Sequence, residues 1–395
     1  MKISNALFYN KIVRFFIHNG NSTNADLSKE LMTSIPTTAK LVGEMCDMGF
    51  VDEFGKMETN EGRRPILYGL NPDSAYFVGI DTMQDSLNIA LMDFRGDLVE
   101  LSMNQPFDAG NTPEGIDSMA AAVHDFLSKV KVDIKKIKAI NLNISGRVNS
   151  EKGYSYSWWN FSEAPLTDIL TEKFGYTTFI DNDSRAMTYG EYMKGDINRV
   201  KNLIFVNLGW GLGMGIIIDG KLYLGKSGFS GELGHVHLFD NEILCRCGKK
   251  GCLETEASGQ AFCRKISERL RNGEASLLQK YYKKDAKISL QQAIEATLRE
   301  DVLCAEVVEQ MGNLLGEQLA GIINIFNPEA LVIGGLLSQI GDVLIHHVNT
   351  GIMKYSLNLV SQDTQVCLSR LREKAGVVGA CMLARKNVLE HELLY

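Results

Sequence analysis

The chain has 395 residues, 45 % of them hydrophobic and 23 % charged, with a formal net charge of −7. These are the proportions of an ordinary globular protein of two or three domains. They exclude a disordered polyelectrolyte, and the acidic balance excludes a protein that coats nucleic acid through its overall charge. No run reads as a membrane span, since residues 203–218 are interrupted by Asn207 and four glycines. The first residues scatter Lys2, Lys11 and Arg14 among apolar ones and lack signal-peptide order, so a cytoplasmic protein with no membrane partner is expected. Five of the eight cysteines, Cys46, Cys263, Cys304, Cys367 and Cys381, stand singly, as small core residues do in a reducing compartment.

From Asn5 to Ile17 the residues Leu7, Phe8, Ile12, Val13, Phe16 and Ile17 recur at helical spacing, and His18-Asn19-Gly20 ends the run. Thr23 or Asn24 can cap a second helix through Leu31. Ser34 can cap a third, with Ala39, Leu41, Val42, Met45 and Met48 as its apolar positions. Residues 50–68 read as two strands around a polar tip. Three short helices and a hairpin suggest a winged helix-turn-helix over residues 1–75. In that geometry the helix over 36–47 enters a major groove, where Thr37, Thr38 and Lys40 reach bases or phosphate, and Arg63 and Arg64 sit on the wing. The segment holds eight basic and nine acidic side chains, so its summed field does not attract DNA; a helical interaction module is the competing reading.

Beyond the arm, YFVGID and SLNIALMDF are two strands, and Arg95-Gly96-Asp97 turns the chain into a third, an antiparallel meander. Helix, strand and helix follow over 113–130, 137–144 and 166–174. The strand over 177–180 leads into Asp181-Asn182-Asp183, an acceptor-rich stretch that taken alone is more often a turn or helix cap, a preference that Glu232, His235 and Glu254 reverse toward a sugar ligand. LGWGLGMG, residues 208–215, is glycine-rich. Residues 298–326 carry apolar side chains at helical spacing, long enough for a buried or subunit-contacting helix, and 373–394 reads as a closing helix. No internal repeat is visible.

Residues 228–254 read GFSGELGHVHLFDNEILCRCGKKGCLE. Cys245, Cys247 and Cys252 lie within eight residues, and His235 stands ten residues ahead of them. Three thiolates and an imidazole are the donors tetrahedral zinc prefers, and a full set of four makes a closed, structural site. Gly248 and Gly251 allow the loop to fold tightly. Glu232 precedes the histidine by three residues and Glu254 follows the last cysteine by two. Two carboxylates beside one imidazole suit vicinal hydroxyls.

GELGH followed by CRCGKKGCLE resembles the signature of the ROK family, a group of repressors, sugar kinases and uncharacterised proteins. The resemblance implies an α/β fold: an N-terminal winged helix-turn-helix followed by a two-lobed actin-like domain of the sugar kinase, Hsp70 and actin type. It places a DNA-binding domain at 1–75, a first lobe at 76–184 with 372–395, and a second lobe at 185–371 with the zinc site and an oligomerisation helix. It further implies that His235, Cys245, Cys247 and Cys252 hold structural Zn²⁺. A hexose or N-acetylhexosamine is then expected on Gly146, Asn182, Asp183, Glu232, His235 and Glu254, with Asp183 the vestige of a catalytic base.

Kinases of this family carry Asp-x-Gly-Gly-Thr in the first hairpin turn, whereas this chain has Asp81-Thr82-Met83-Gln84-Asp85, and Trp210 stands where they have threonine. Asp85 at about 4 Å from a phosphate charge repels it by on the order of 4 kcal/mol at an effective dielectric near 20. The expectation is a non-enzymatic, sugar-responsive repressor of carbohydrate metabolism, a homodimer or homotetramer on operator DNA. An active ROK-type sugar kinase carrying a DNA-binding arm is the alternative.

Overall fold

A computed structural model of the chain describes residues 3–58, 64–83, 85–108, 110–197, 200–281 and 287–391, with side chains from residue 7. They form two compact units, Met1–Ile144 with Lys152–Asp181 and Ala380–Tyr395, and Ser145–Glu151 with Asn182–Gly379.

The first unit opens with α1 (Ile3–Asn19), α2 (Asn24–Leu31) and α3 (Ile35–Asp47) and the hairpin β1 (Val51–Lys56) and β2 (Ile66–Leu70). Thr23 caps α2 in a reciprocal box with Asp26, and Ser34 caps α3 ahead of Pro36 in the first turn. The buried face of α3 is Thr38, Leu41, Val42 and Met45, the i, i+3, i+4, i+7 pattern of one helix face. Thr38 therefore faces inward: it is wholly buried, with its hydroxyl 2.8 Å from that of Thr33. That corrects the expectation that it reads DNA, and Ala39, assigned above to the apolar face, is exposed instead. Leu27, Leu41, Met45, Val51 and Leu70 share one core with Phe77, Phe94, Ala139, Ala384, Val388 and Leu389, so the arm is packed onto the sheet that follows it.

That sheet is built from β3 (Tyr76–Thr82), β4 (Ser86–Asp93) and β5 (Leu98–Pro106) as an antiparallel meander, then α4 (Pro113–Lys129) and β6 (Ile137–Ile144), parallel to β3. The short strands β7 (Val148–Asn149) and β8 (Tyr154–Ser155), α5 (Leu166–Phe174) and β9 (Thr178–Asn182) complete this part of the chain. The strand order is β5-β4-β3-β6-β9.

The second unit continues with α6 (Asp183–Lys194), β10 (Leu203–Leu208), β11 (Leu212–Ile218) and β12 (Lys221–Leu222). After the loop over 223–258 come α7 (Gly259–Arg271), α8 (Leu290–Leu298), α9 (Val302–Phe326), β13 (Ala330–Gly334), α10 (Asp342–Tyr355), α11 (Asn358–Gln362), β14 (Gln365–Leu368) and α12 (Ala375–Glu390). Its strand order is β12-β11-β10-β13-β14, a meander followed by two parallel strands, and matches the order of the first sheet. The architecture thus repeats although the sequence shows no repeat, because topology constrains only the pattern of burial and not side-chain identity.

Central β10 is buried on both faces, as its apolar run LIFVNL requires. Leu203 and Phe205 pack with Met187, Tyr189 and Tyr192 of α6, while Ile204, Val206 and Leu208 face the core of α7–α10. The helix expected over 298–326 is two: Leu298 ends α8, and Asp301 caps α9 by accepting from the Cys304 amide. In α12, residues 380–390 belong to the first unit. Among the described residues no helix is long and apolar enough to cross a membrane.

Candidate functional site

The hairpin β10–β11 organises the second unit, and its alternating glycines explain how. A Cβ on Gly213 would lie 2.1 Å from Ser184 Oγ, and one on Gly215 would lie 1.9 Å from Thr188 Oγ1. Glycine there lets α6 lie against the strand, carrying its first residues to the start of β11. On the same strand, Gly234 packs so closely that a Cβ would be 2.3 Å from Leu212 O, and Gly231 approaches Met214 O to 2.0 Å by the same measure. Four segments, 182–184, 231–235, 252–254 and the turn 209–211, therefore meet around the first residues of β11.

Asn182 is the N-cap of α6: its Oδ1 accepts from the Arg185 amide and its Nδ2 donates to Gly146 O at 2.9 Å. The helix-cap role, set aside above in favour of a sugar ligand, is thus present. Gly146 holds φ +92°, which a side chain resists, and the carbonyl it presents fixes the lip of the site. Asp183 is the more available group. Its Oδ2 accepts from Ser145 Oγ at 2.6 Å and its Oδ1 from the Ser184 amide at 2.7 Å. Burial raises its pKa above the ordinary 3.8, and the hydrogen bonds from Ser145 and Ser184 offset only part of that. Arg185 turns inward, donating to Val148 O at 3.1 Å and to Gly228 O.

The donor atoms of His235, Cys245, Cys247 and Cys252 all lie within 4.8 Å of one another. His235 Nδ1 is 3.5 Å from Cys245 Sγ, and the Cys247 and Cys252 sulfurs are 3.6 Å apart. Bonds of about 2.3 Å to sulfur and 2.0 Å to nitrogen give tetrahedral edges of roughly 3.5–3.8 Å, so the cluster fits one zinc-sized ion. The other imidazole nitrogen, Nε2, lies 3.7 Å from Glu232 Oε2, and both side chains are partly exposed. One ring can therefore serve a metal with one edge and a ligand with the other. Glu232 also borders a mainly apolar cavity of about 520 Å³ lined by Met214, Ile216, Phe229, Leu233 and Ile322.

Glu254 has partners within the chain. Its Oε2 accepts from the Leu212 amide at 2.9 Å and its Oε1 lies 3.6 Å from Cys245 Sγ, so the carboxylate serves the protein's own turn.

In the first unit, Asp81 is buried and accepts from Asn143 Nδ2 at 3.0 Å, and Asn143 in turn accepts from Asn141 at 3.2 Å. Met83 Sδ accepts from Asn88, Asp85 is exposed, and Gln84 lies outside the described residues. Trp210, in the second unit, is partly buried on the core of α7–α10. Trp159 is buried, its indole donating to Gly110 O at 3.2 Å. In the arm Thr37, Lys40 and Arg64 are exposed, and Arg63 lies outside the described residues.

Sequence reasoning missed Ser145, Ser184 and Asn207, whose Nδ2 donates to Ser184 Oγ at 3.0 Å. Asn207 had a visible signal, a polar residue inside an otherwise apolar central strand. The serines had none.

Comparison with known proteins places these features. The ROK family model matches residues 77–387. The xylose repressor of Caldicellulosiruptor bescii is 27 % identical over 383 residues, 96 % of this chain and 95 % of that one. The crystal structure of a ROK family transcriptional regulator, a homologue of the E. coli MLC protein, matches with a TM-score of 0.81 at 27 % identity, covering 99 % of this chain and 98 % of that one. A ROK family glucokinase from Streptomyces griseus, solved with glucose and AMPPNP, matches at 26 % identity with a TM-score of 0.69, covering 79 % of this chain and all of that one. The fold is thus the implied one, an N-terminal winged helix-turn-helix followed by a two-lobed actin-like domain. With a family model running from the first strand of the meander to the last helix, the chain belongs to the ROK family.

Proposed function

We propose that the protein is a sugar-responsive transcriptional repressor of carbohydrate metabolism whose kinase-type body has become a sensor. The observation that carries this is the extent of the likeness: the xylose repressor aligns over 96 % of the chain, arm included, whereas the glucokinase is matched over its whole length and still leaves a fifth of this chain uncovered. Residues 1–75 are the DNA-binding domain in this reading, with Thr37 and Lys40 of α3, and Arg63 and Arg64 of the wing, toward operator DNA. Asp183, Glu232 and His235 receive the hydroxyls of a hexose or N-acetylhexosamine, with Gly146 and Asn182 fixing the rim. Zn²⁺ on His235, Cys245, Cys247 and Cys252 is structural and holds the loop that presents Glu232.

The altered turn at Met83 and Asp85 and the indole at Trp210 support loss of phosphate binding, hence of kinase activity. Sugar binding biases one conformation of a homodimer or homotetramer over another and so alters its fit to two operator half-sites.

Two measurements test this. A thermal-shift screen of sugars and sugar phosphates, with xylose included because of the C. bescii relative, should find a stabilising ligand, since one at a hundredfold its Kd adds roughly 2.7 kcal/mol. Anisotropy with DNA from the protein's own upstream region should show sequence preference and steep salt dependence. Retention of Asp183 favours the second reading, an active kinase with a DNA arm. Hexose-dependent ATP turnover of about 1–100 per second would establish that reading in place of the first.

A further inference from the structure

We infer that Glu254 is a positioning residue that couples the four-donor loop to the glycine turn at 209–212, so that metal loading governs the order of the turn carrying Trp210. The inference rests on the cluster binding a metal and is independent of the sugar reading.

The connection can be followed atom by atom within the second unit. Cys252, one of the four donors, is the N-cap of the single helical turn Leu253–Thr255, and Glu254 sits in the middle of that turn. The Leu253 amide donates to Val236 O at 3.0 Å, which joins this turn to Leu233–His235, the turn that ends in the histidine donor. Glu254 is therefore held between two donors of the cluster, and its carboxylate lies 3.6 Å from the sulfur of a third, Cys245. From there it reaches out of the loop and accepts the Leu212 amide at 2.9 Å. The fit leaves no room for a side chain opposite: a Cβ on Gly211 would stand 2.6 Å from Glu254 Oε2.

The turn has a second, metal-independent grip. Gly209 O accepts from the Gly259 amide at 2.8 Å and Trp210 O from the Gln260 amide at 3.0 Å, both at the start of α7. Glu254 supplies a hydrogen bond that ties the turn to the cluster, beside the close packing of Gly234 on Leu212 O. When the loop loses its metal, the short turn bearing Glu254 loses the restraint on its first residue, and a carboxylate-to-amide bond that depends on placement is weakened first. The coupling is mechanical. It requires Glu254 to be an acceptor of the right length at that point, not a ligand of the metal.

The test is amide hydrogen exchange on the full chain, followed in peptides spanning 209–213, with zinc content measured on each sample. Zinc-loaded protein should protect this segment, and chelation should speed its exchange about tenfold or more, because an amide bonded to a carboxylate is opened by loss of that bond. Glu254→Ala should bind one zinc per chain, since all four donors remain, yet exchange as fast as the chelated protein. Glu254→Gln, whose amide oxygen can still accept from Leu212, should restore protection. Equal protection in zinc-loaded Glu254→Ala and the unaltered chain would overturn the inference, as would unchanged exchange on chelation. If chelation also opens peptides across β13, the zinc-loaded Glu254→Ala and Glu254→Gln pair decides: a difference confined to 209–213 supports the coupling and no difference overturns it. A chain that takes up no zinc overturns the metal half of the inference outright.

Discussion

Ser145 Oγ donates to Asp183 Oδ2 across 2.6 Å, joining the residue that follows β6 to the first residue of α6. The bond fixes the carboxylate and uses the hydroxyl proton of an exposed serine, whose oxygen can still accept. Serine and aspartate then form a paired acceptor for hydroxyl donors.

This pairing predicts a pH dependence. Burial raises the Asp183 pKa above 3.8, so the acceptor form is lost at a higher pH than for an ordinary aspartate. Affinity for a neutral sugar, measured by calorimetry, should fall as pH drops through that raised value. The free protein should behave oppositely from this group, because protonation relieves the cost of burying a charge and so adds stability as pH falls. Ser145→Ala should weaken the sugar roughly tenfold or more, as expected for loss of a hydrogen bond to a charged group. Asp183→Asn should remove the pH dependence together with most of the affinity.

In the arm, stability and DNA binding should separate by residue. Thr38→Val keeps the shape of a buried side chain and loses the bond to Thr33, so it should cost about 1 kcal/mol of stability in chemical denaturation. Its direct effect on DNA should be absent. Lys40→Ala should leave stability within about 0.5 kcal/mol while weakening DNA binding across sequences and reducing the salt slope by about 1. The reverse outcome would show that α3 presents a different face.

The second unit should be intolerant at Gly379. A Cβ there would stand 1.8 Å from Ala186 O, a backbone atom of α6 that cannot move aside alone. Gly379→Ala should therefore cost at least the 1–3 kcal/mol typical of overpacking. The intrinsic helix preference of alanine, about 1 kcal/mol in its favour, is too small to compensate. Gly321→Ala is the control: nothing lies within 4 Å of its Cβ, and α9 should gain stability. A thermal melt of both variants checks the sign of each.

Asp301 predicts an acid limb. Burial by itself would raise its pKa, but hydrogen bonds from the Cys304 amide, the Leu277 amide and the Ser276 hydroxyl outweigh it and leave the pKa below 3.8. A depressed carboxylate contributes stability above its unfolded pKa and loses it as pH falls through the folded value. Asp301→Asn should cost about 1–2 kcal/mol at neutral pH, because asparagine keeps the cap acceptor but replaces the oxygen that accepts the Leu277 amide with a donor. The gap should close only as pH falls through the depressed folded value, where the native carboxylate also becomes protonated. An offset that stays constant down to pH 2 would show that the charge contributes nothing.

Much of this chain is written locally. The dense cysteines after GELGH, the Ser34 cap and the apolar period of α1 need only neighbours a few residues away, so composition and spacing specify them. Even the loss of the glycine turn at 81–85 is a local fact. What the sequence could not decide is which side chain faces which, because that follows from the phase of each helix and from contacts remote along the chain. Thr38 looked available until the phase of α3 turned it inward. Glu254 has a partner no spacing announced, the amide of Leu212, 42 residues earlier in the chain. Ser145 became part of the site only because folding sets its hydroxyl 2.6 Å from Asp183, 38 residues later in the chain. Spacing identifies the donors of a site; packing assigns their targets, since a hydrogen bond depends on ångströms and not on order along the chain.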